Sequence, residues 1–211
     1  MKIAIIGANI FGLGLAHFLH EEYQNNLSID IIEERAEIGF PCLGSGLLVN
    51  HEKWVGTVDT WLSSFTFLPK LNQGIGLAFR RDWLEKDLAL SLVNNGITID
   101  VRTTVVSQTK TSLSLIGVGG HSSIWEGDIV IDCRIESKSS LIGVISNSPQ
   151  DSGWQRNDGT WEGWYENLPT EFNILQILDS SSSTIDENGI DFSLELAKKN
   201  FQEILTIYSN G

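Results

Sequence analysis

Positive charge is scarce in this 211-residue chain: 14 lysines and arginines stand against 27 aspartates and glutamates, for a formal net charge of −13. Phosphate backbones and anionic lipid surfaces are bound through basic faces, so the balance argues against nucleic acid and against an anionic membrane surface as partners. It favours simple solubility in a cytoplasm. Cysteine is nearly absent too. Cys42 and Cys133, far apart in the chain, build neither a disulfide framework nor a metal cluster. The four histidines, His17, His20, His51 and His121, show no metal-ligand spacing and no triad pattern, so no metal site is expected. No run of about 18 apolar residues occurs, which leaves no membrane-spanning helix to expect. Met1-Lys2 leads straight into a short strand-like run rather than an apolar signal segment, so the expected location is cytoplasmic. What is present is ordinary: 41% hydrophobic residues, enough length for one large domain or a domain with a small annex, and no internal repeat.

Residues 3–6, Ile-Ala-Ile-Ile, form a β-branched apolar run that predicts a buried parallel strand. From residue 10 to about 23, Phe11, Leu15, Phe18 and Leu19 recur at helical spacing, and 29–32 predicts a second buried strand. Strand, helix and strand within about 30 residues make a βαβ unit with a right-handed crossover. Residues 33–50 read as irregular, broken by Gly39, Pro41, Gly44 and Gly46. Further on, 75–79 predicts a strand and 81–94 an amphipathic helix with Trp83, Leu84, Leu88, Leu92 and Val93 on one side, stopped by Asn95-Gly96. A strand at 97–101, a small antiparallel meander near 103–109, 112–118 and 122–125, and a strand at 128–132 follow. Residues 147–170 hold Gly, Pro and three tryptophans and read as an insertion or hairpin; 172–178 is a strand and 192–208 a final helix.

The first unit has a chemical consequence. Gly7-Ala8-Asn9-Ile10-Phe11-Gly12 lies where a strand turns into a helix, whose unpaired amides and positive dipole end suit a pyrophosphate. Gly7 permits the tight turn and Gly12 the close packing of helix on strand. Asn9 stands where the fingerprint has its middle glycine; asparagine tolerates left-handed backbone but adds bulk. Glu33 ends the second strand about 20 residues beyond Gly12, where a carboxylate takes the ribose hydroxyls and repels a 2′-phosphate, disfavouring NADP. The other reading of the same residues is a Rossmann-like unit that holds no nucleotide.

Glu33-Glu34-Arg35-Ala36-Glu37-Ile38-Gly39-Phe40-Pro41, followed by Gly44-Ser45-Gly46-Leu47, resembles the segment after the second strand in the geranylgeranyl reductase family, FAD flavoproteins of the p-hydroxybenzoate hydroxylase-like class. That segment runs acidic-x-x-x-E-I-G-K-P and then Cys-x-Gly-Leu. Arg81-Asp82-Trp83-Leu84 is similar to the family's R-x-x-F/L helix start, Val105 falls where its next strand passes the adenine, and 128–132 resembles the strand before its "DADG" turn. Residues 174–179, then Glu187-Asn188-Gly189-Ile190, resemble its "GDAA" turn and "GxGI" helix start. Departures are Asn9, Gly44 in place of a cysteine, Arg134 where the "DG" is missing, Leu178 in place of a glycine, and a chain much shorter than the family's.

The resemblance implies a three-layer α/β FAD/NAD(P)-binding Rossmann-like fold: a central parallel sheet, a small antiparallel meander and a strongly reduced substrate region. It implies a single FAD-binding-type domain over 1–211, with 141–171 as the reduced substrate annex. The implied cofactor is FAD. Its expected contacts are Gly7, Ala8, Asn9, Phe11, Gly12, Glu33, Glu34, Arg35, Arg81, Val105, Asp179, Gly189 and Ile190. Asp179 is implied for the ribityl chain, with a helix-cap carboxylate as its plainer reading; Arg81 is either a cofactor contact or a solvated helix-start arginine. Cys42 reads as a small buried cysteine rather than a redox thiol. Trp154, Trp161, Trp164 and Tyr165 read as hairpin core or as an aromatic wall over a flavin or prenyl-like substrate. The expected function is an FAD-dependent oxidoreductase passing hydride to an unsaturated or apolar small molecule, with NAD(P)H as a reductant and no assigned catalytic residue. Two rivals stand beside it: a degenerate nucleotide- or partner-binding protein that keeps the fold without catalysis, and a subunit whose active site a partner chain completes.

Overall fold

The computed structural model describes residues 1–62, 70–72, 75–135, 141–150, 153–170, 173–180, 184, 187 and 189–209. In chain order its strands are β1 (Lys2–Ile6), β2 (Ser28–Ile32), β3 (Leu47–Leu48), β4 (Lys70–Asn72), β5 (Gly76–Ala78), β6 (Thr98–Asp100), β7 (Thr104–Gln108), β8 (Ser112–Ile116), β9 (Ser122–Glu126), β10 (Ile129–Asp132), β11 (Ile142–Ser146), β12 (Trp154–Gln155), β13 (Trp161–Tyr165) and β14 (Ile174–Asp179). Its α-helices are α1 (Ile10–Tyr23), α2 (His51–Trp61), α3 (Arg81–Asn94) and α4 (Ile190–Ser209). The chain divides into two compact units. Unit 1 is Met1–Phe40, Glu85–Arg134 and Leu194–Gly211; unit 2 is Pro41–Leu84 and Ile135–Ser193.

Unit 1 is built on a parallel sheet of order β10-β1-β2-β6. The central strand β1 is buried on both faces, which is why its sequence is continuously apolar rather than alternating. Ala4, Ile6 and Ile32 face the meander β7-β8-β9, packing with Leu113, Leu115 and Trp125, with Val105 and Val130 against them. Ile5 faces α1, whose Gly12 lies so near that a Cβ there would stand 3.2 Å from the Ile5 side chain. Helices, sheet and meander make the three layers. On the helix side, His17 of α1 bonds the Leu88 carbonyl of α3, and Phe18 stacks on Phe201 of α4 at 5.6 Å between ring centres.

Helix α3 ends as a Schellman motif. Gly96, at φ +85°, donates to the Val93 carbonyl and Ile97 donates to that of Leu92. Its apolar face is narrower than the sequence implies. Leu84, Leu88 and Leu92 are buried, but Trp83 is exposed beneath the Arg80 guanidinium, and exposed Val93 lines an open apolar groove of about 310 Å³ with Ala89, Leu90, Ile99 and Val101. Five apolar marks over four turns cover more arc than one packing surface takes up.

Unit 2 holds an antiparallel sheet of order β12-β13-β11-β14 and a small sheet of order β3-β5-β4. Its core gathers Cys42, Leu47, Ala78, Leu141, Ile145, Trp154, Trp164 and Leu178. The tryptophan-rich insertion is thus one hairpin of a four-stranded sheet, and Trp154 and Trp164 serve as its core. The strand expected at 172–178 runs Ile174–Asp179 and pairs antiparallel with β11. The sequence names no element over 51–61; α2 lies there, with Trp54, Val58 and Trp61 buried at spacings of four and three. Phe172, Asn188 and 181–183 of the serine run lie outside the described residues. No helix among the described residues is long and apolar enough to cross a membrane, and no group of histidine, cysteine or acidic side chains among them could hold a metal.

Candidate functional site

In unit 1 the sequence-predicted cradle assembles around the turn between β1 and α1. Gly7 sits at φ +104°, with the backbone of Cys133 and Arg134 close beside it: a Cβ would lie 3.1 Å from the Cys133 carbonyl oxygen. A Cβ on Gly12 would lie 2.0 Å from the Gly7 carbonyl, so the helix can meet the strand end only with glycine there. The glycine logic read from the sequence therefore holds at the first and third positions.

Asn9 replaces the second glycine and acts as the N-cap of α1, with extended backbone. Its Oδ1 accepts from the amides of Phe11 (2.9 Å) and Gly12 (3.1 Å), and its Nδ2 donates to the Cys133 carbonyl at 2.7 Å. Two amides of the first turn, which the sequence assigns to a pyrophosphate, are thus held by the chain's own side chain.

Glu33 follows β2 and is buried. Its Oε2 accepts from the Ala8 amide at 2.7 Å, so the carboxylate stands directly over the glycine turn. Arg35 then closes on it. The Arg35 amide and Nε donate to Oε1 at 2.8 and 3.0 Å, and Nη2 donates to Oε2 at 2.9 Å and to the Ala8 carbonyl at 3.2 Å. Burial alone would raise the Glu33 carboxyl, but the bonds and charge of Arg35, with the Ala8 amide, outweigh it and hold it below the usual carboxylate range. Glu34 is exposed and accepts from the Thr104 hydroxyl at 3.4 Å; Val105 is half-buried in the meander. At the end of β10, Asp132 accepts from the Arg134 Nε at 2.9 Å, and Arg134 holds its carboxyl low.

In unit 2, Arg81 is not a solvated helix-start arginine. It is 2% exposed and donates to the Ser45 carbonyl at 3.2 Å, fixing the 44–46 turn. Asp179 is exposed at the end of β14, and its carbonyl accepts the Gly44 amide at 3.0 Å. Gly189 and Ile190 are buried at the start of α4. Cys42 is buried, its thiol directed at the Gly44 carbonyl at 3.7 Å. The turn 44–46 thus collects Arg81, Asp179 and Cys42.

A buried acid was not foreseen. Glu162 on β13 accepts from the Gly46 amide (3.1 Å) and the Trp164 indole (2.9 Å), and it lies 4.0 Å from the Arg156 guanidinium. Burial pushes its carboxyl up, and Arg156, Trp164, Gly46 and Arg81 do not offset that. Strand alternation over 161–165 carries the signal, since it puts Glu162 on the same face as Trp164.

No family model and no curated protein sequence matches this chain. Solved structures do. A geranylgeranyl bacteriochlorophyll reductase-like protein from Thermoplasma acidophilum superposes with a TM-score of 0.64 at 13% identity, covering 97% of this chain and 79% of that one. The chain shares the fold of this reductase-like protein. A flavoprotein/dehydrogenase from Cytophaga hutchinsonii shares the fold with a TM-score of 0.51 at 12% identity over 77% of this chain and 54% of its own. So does an anhydrotetracycline hydroxylase from Streptomyces rimosus, with a TM-score of 0.51 at 13% identity over 84% of this chain and 51% of its own. The chain spans about half the length of these last two. The three-layer Rossmann-like architecture read from the sequence is the one observed.

Proposed function

We propose that the chain is an FAD-dependent oxidoreductase that reduces or oxidises an unsaturated or apolar small molecule. One observation carries the reading: on a flavoprotein fold, the Glu33 carboxylate stands 2.7 Å from the Ala8 amide, over a glycine turn that opens α1. The residues fit the cofactor in kind. Gly7 and Gly12 occupy places that a side chain would block, and an ionised carboxylate waits at the ribose end. Gly7, Ala8, Phe11 and Gly12 would line the pyrophosphate side with bare backbone beside Asn9, their amides being bonded to Ile32, Glu33 and Asn9. Glu33 would take the ribose, and Glu34 and Val105 would lie on the adenine side, with Arg35 the side chain that the ribose has to displace. Arg81, Asp179, Gly189 and Ile190 are proposed contacts of the flavin half on the resemblance alone. Bound FAD supplies the hydride chemistry. What the chain supplies is binding, orientation and charge, with NADH or NADPH proposed as reductant.

Asn9 and Arg35 favour a second reading, a binding protein that keeps the fold and has lost catalysis, because both side chains occupy groups a dinucleotide uses. The visible spectrum of the natively purified protein, followed by identification of any released cofactor, separates the two. A flavin band with FAD in the released fraction supports the oxidoreductase. A colourless protein that gains no flavin band on incubation with FAD supports the binding protein.

A further inference from the structure

Resting on the cofactor reading above, we propose that Arg35 is a latch that competes with the cofactor ribose for Glu33, and that Glu85 receives it when the cofactor enters. An ionised carboxylate offers about four lone-pair positions. On Glu33 all four are taken: Oε1 by the Arg35 amide and Nε, Oε2 by the Ala8 amide and Arg35 Nη2. The two main-chain donors are fixed by the fold. The two guanidinium donors, one on each oxygen, form the bidentate fork. A ribose presents its neighbouring hydroxyls to a carboxylate through that same fork, so the ribose and the Arg35 side chain exclude each other.

The guanidinium has a place to go. Arg35 Nη1 lies 3.9 Å from Oε2 of Glu85 on α3, an ion pair longer than a hydrogen bond, and the Glu85 side chain is 2% exposed. A small swing shortens this pair as the Glu33 pair breaks. Both carboxylates then keep a partner, Glu33 in the ribose hydroxyls and Glu85 in the guanidinium, so no buried charge is stranded. Arg35 is suited to the exchange because its side chain is 16% exposed while both acids are buried. The latch makes this a cradle that opens only to a ligand carrying a vicinal diol.

The test is the equilibrium dissociation constant of FAD, measured by calorimetry on the full chain, for wild type, Arg35→Met and Glu85→Gln, each checked for folding by circular dichroism. Removing the competitor leaves Glu33 short of donors, so Arg35→Met binds FAD more tightly, by about tenfold. Glu85→Gln binds it several-fold more weakly, because the displaced guanidinium has lost its second carboxylate. Should Arg35→Met misfold, Arg35→Lys serves. Its point charge cannot span both oxygens, and it too binds FAD more tightly than wild type. Weaker or unchanged binding in the folded Arg35 variant overturns the latch and leaves the cofactor reading standing. Folded wild type and folded Arg35 variant that both ignore FAD overturn the cofactor reading, and the latch falls with it.

Discussion

His17 is buried in α1 with its Nε2 against the Leu88 carbonyl at 3.1 Å. A carbonyl only accepts, so Nε2 carries a proton. Burial, aided by the nearby charge of His20 and opposed by the Leu88 bond, lowers its pKa from 6.5 to about 4. Between those values the unfolded chain binds a proton that the folded chain refuses. The contribution is therefore complete above pH 6.5 and is lost as pH falls to about 4, by about 3 kcal/mol in all. Urea unfolding of wild type and His17→Gln across that range checks it: the variant loses less stability on acidification. Glu162 works in the opposite direction. Its folded pKa is raised, so its contribution is present below 4.5 and is lost as pH rises through the folded value. The Cys133 thiol is pushed up by burial and by Asp132, which disfavours its thiolate.

Among the elements, those defined by local pattern were legible. The apolar run of β1, the helical spacing of α1, the three strands of the meander and the Asn95-Gly96 stop of α3 each follow from a few neighbouring residues. Partner choice did not follow. Residues 174–179 read as a strand of the cofactor half, and only the pairing with β11 places them in the antiparallel sheet, because pairing is settled by residues some 30 positions away. The turn was legible at Gly7 and Gly12, where backbone demands fix the residue type, and the placing of Glu33 beside it was legible from its position at the end of β2. It was not legible at Arg35, since nothing in the order Glu-Glu-Arg says that the arginine folds back two positions. Asn9 was read as bulk in the phosphate path, and its capping geometry appears only in the structure. Asn9→Gly restores the missing glycine but removes the cap and the tether to Cys133, so it lowers stability by about 1 kcal/mol in chemical unfolding.

At the scale of the whole molecule, the fold is shared with proteins of which two are matched over only about half of their own length. Each unit nonetheless has its own core. Unit 1 buries both faces of β1, and unit 2 closes its sheet over Cys42, Leu47, Trp154 and Trp164. The acidic surface, net −13, suits a protein whose ligands are taken into built sites rather than gathered by long-range attraction of anions. The central claim is that Glu33 anchors a flavin dinucleotide on the β1–α1 turn, and binding of FAD to folded Glu33→Gln tests it most directly. Exchange of the carboxylate for an amide removes a charged acceptor, so the dissociation constant rises by about tenfold or more over wild type. An unchanged constant would contradict the account.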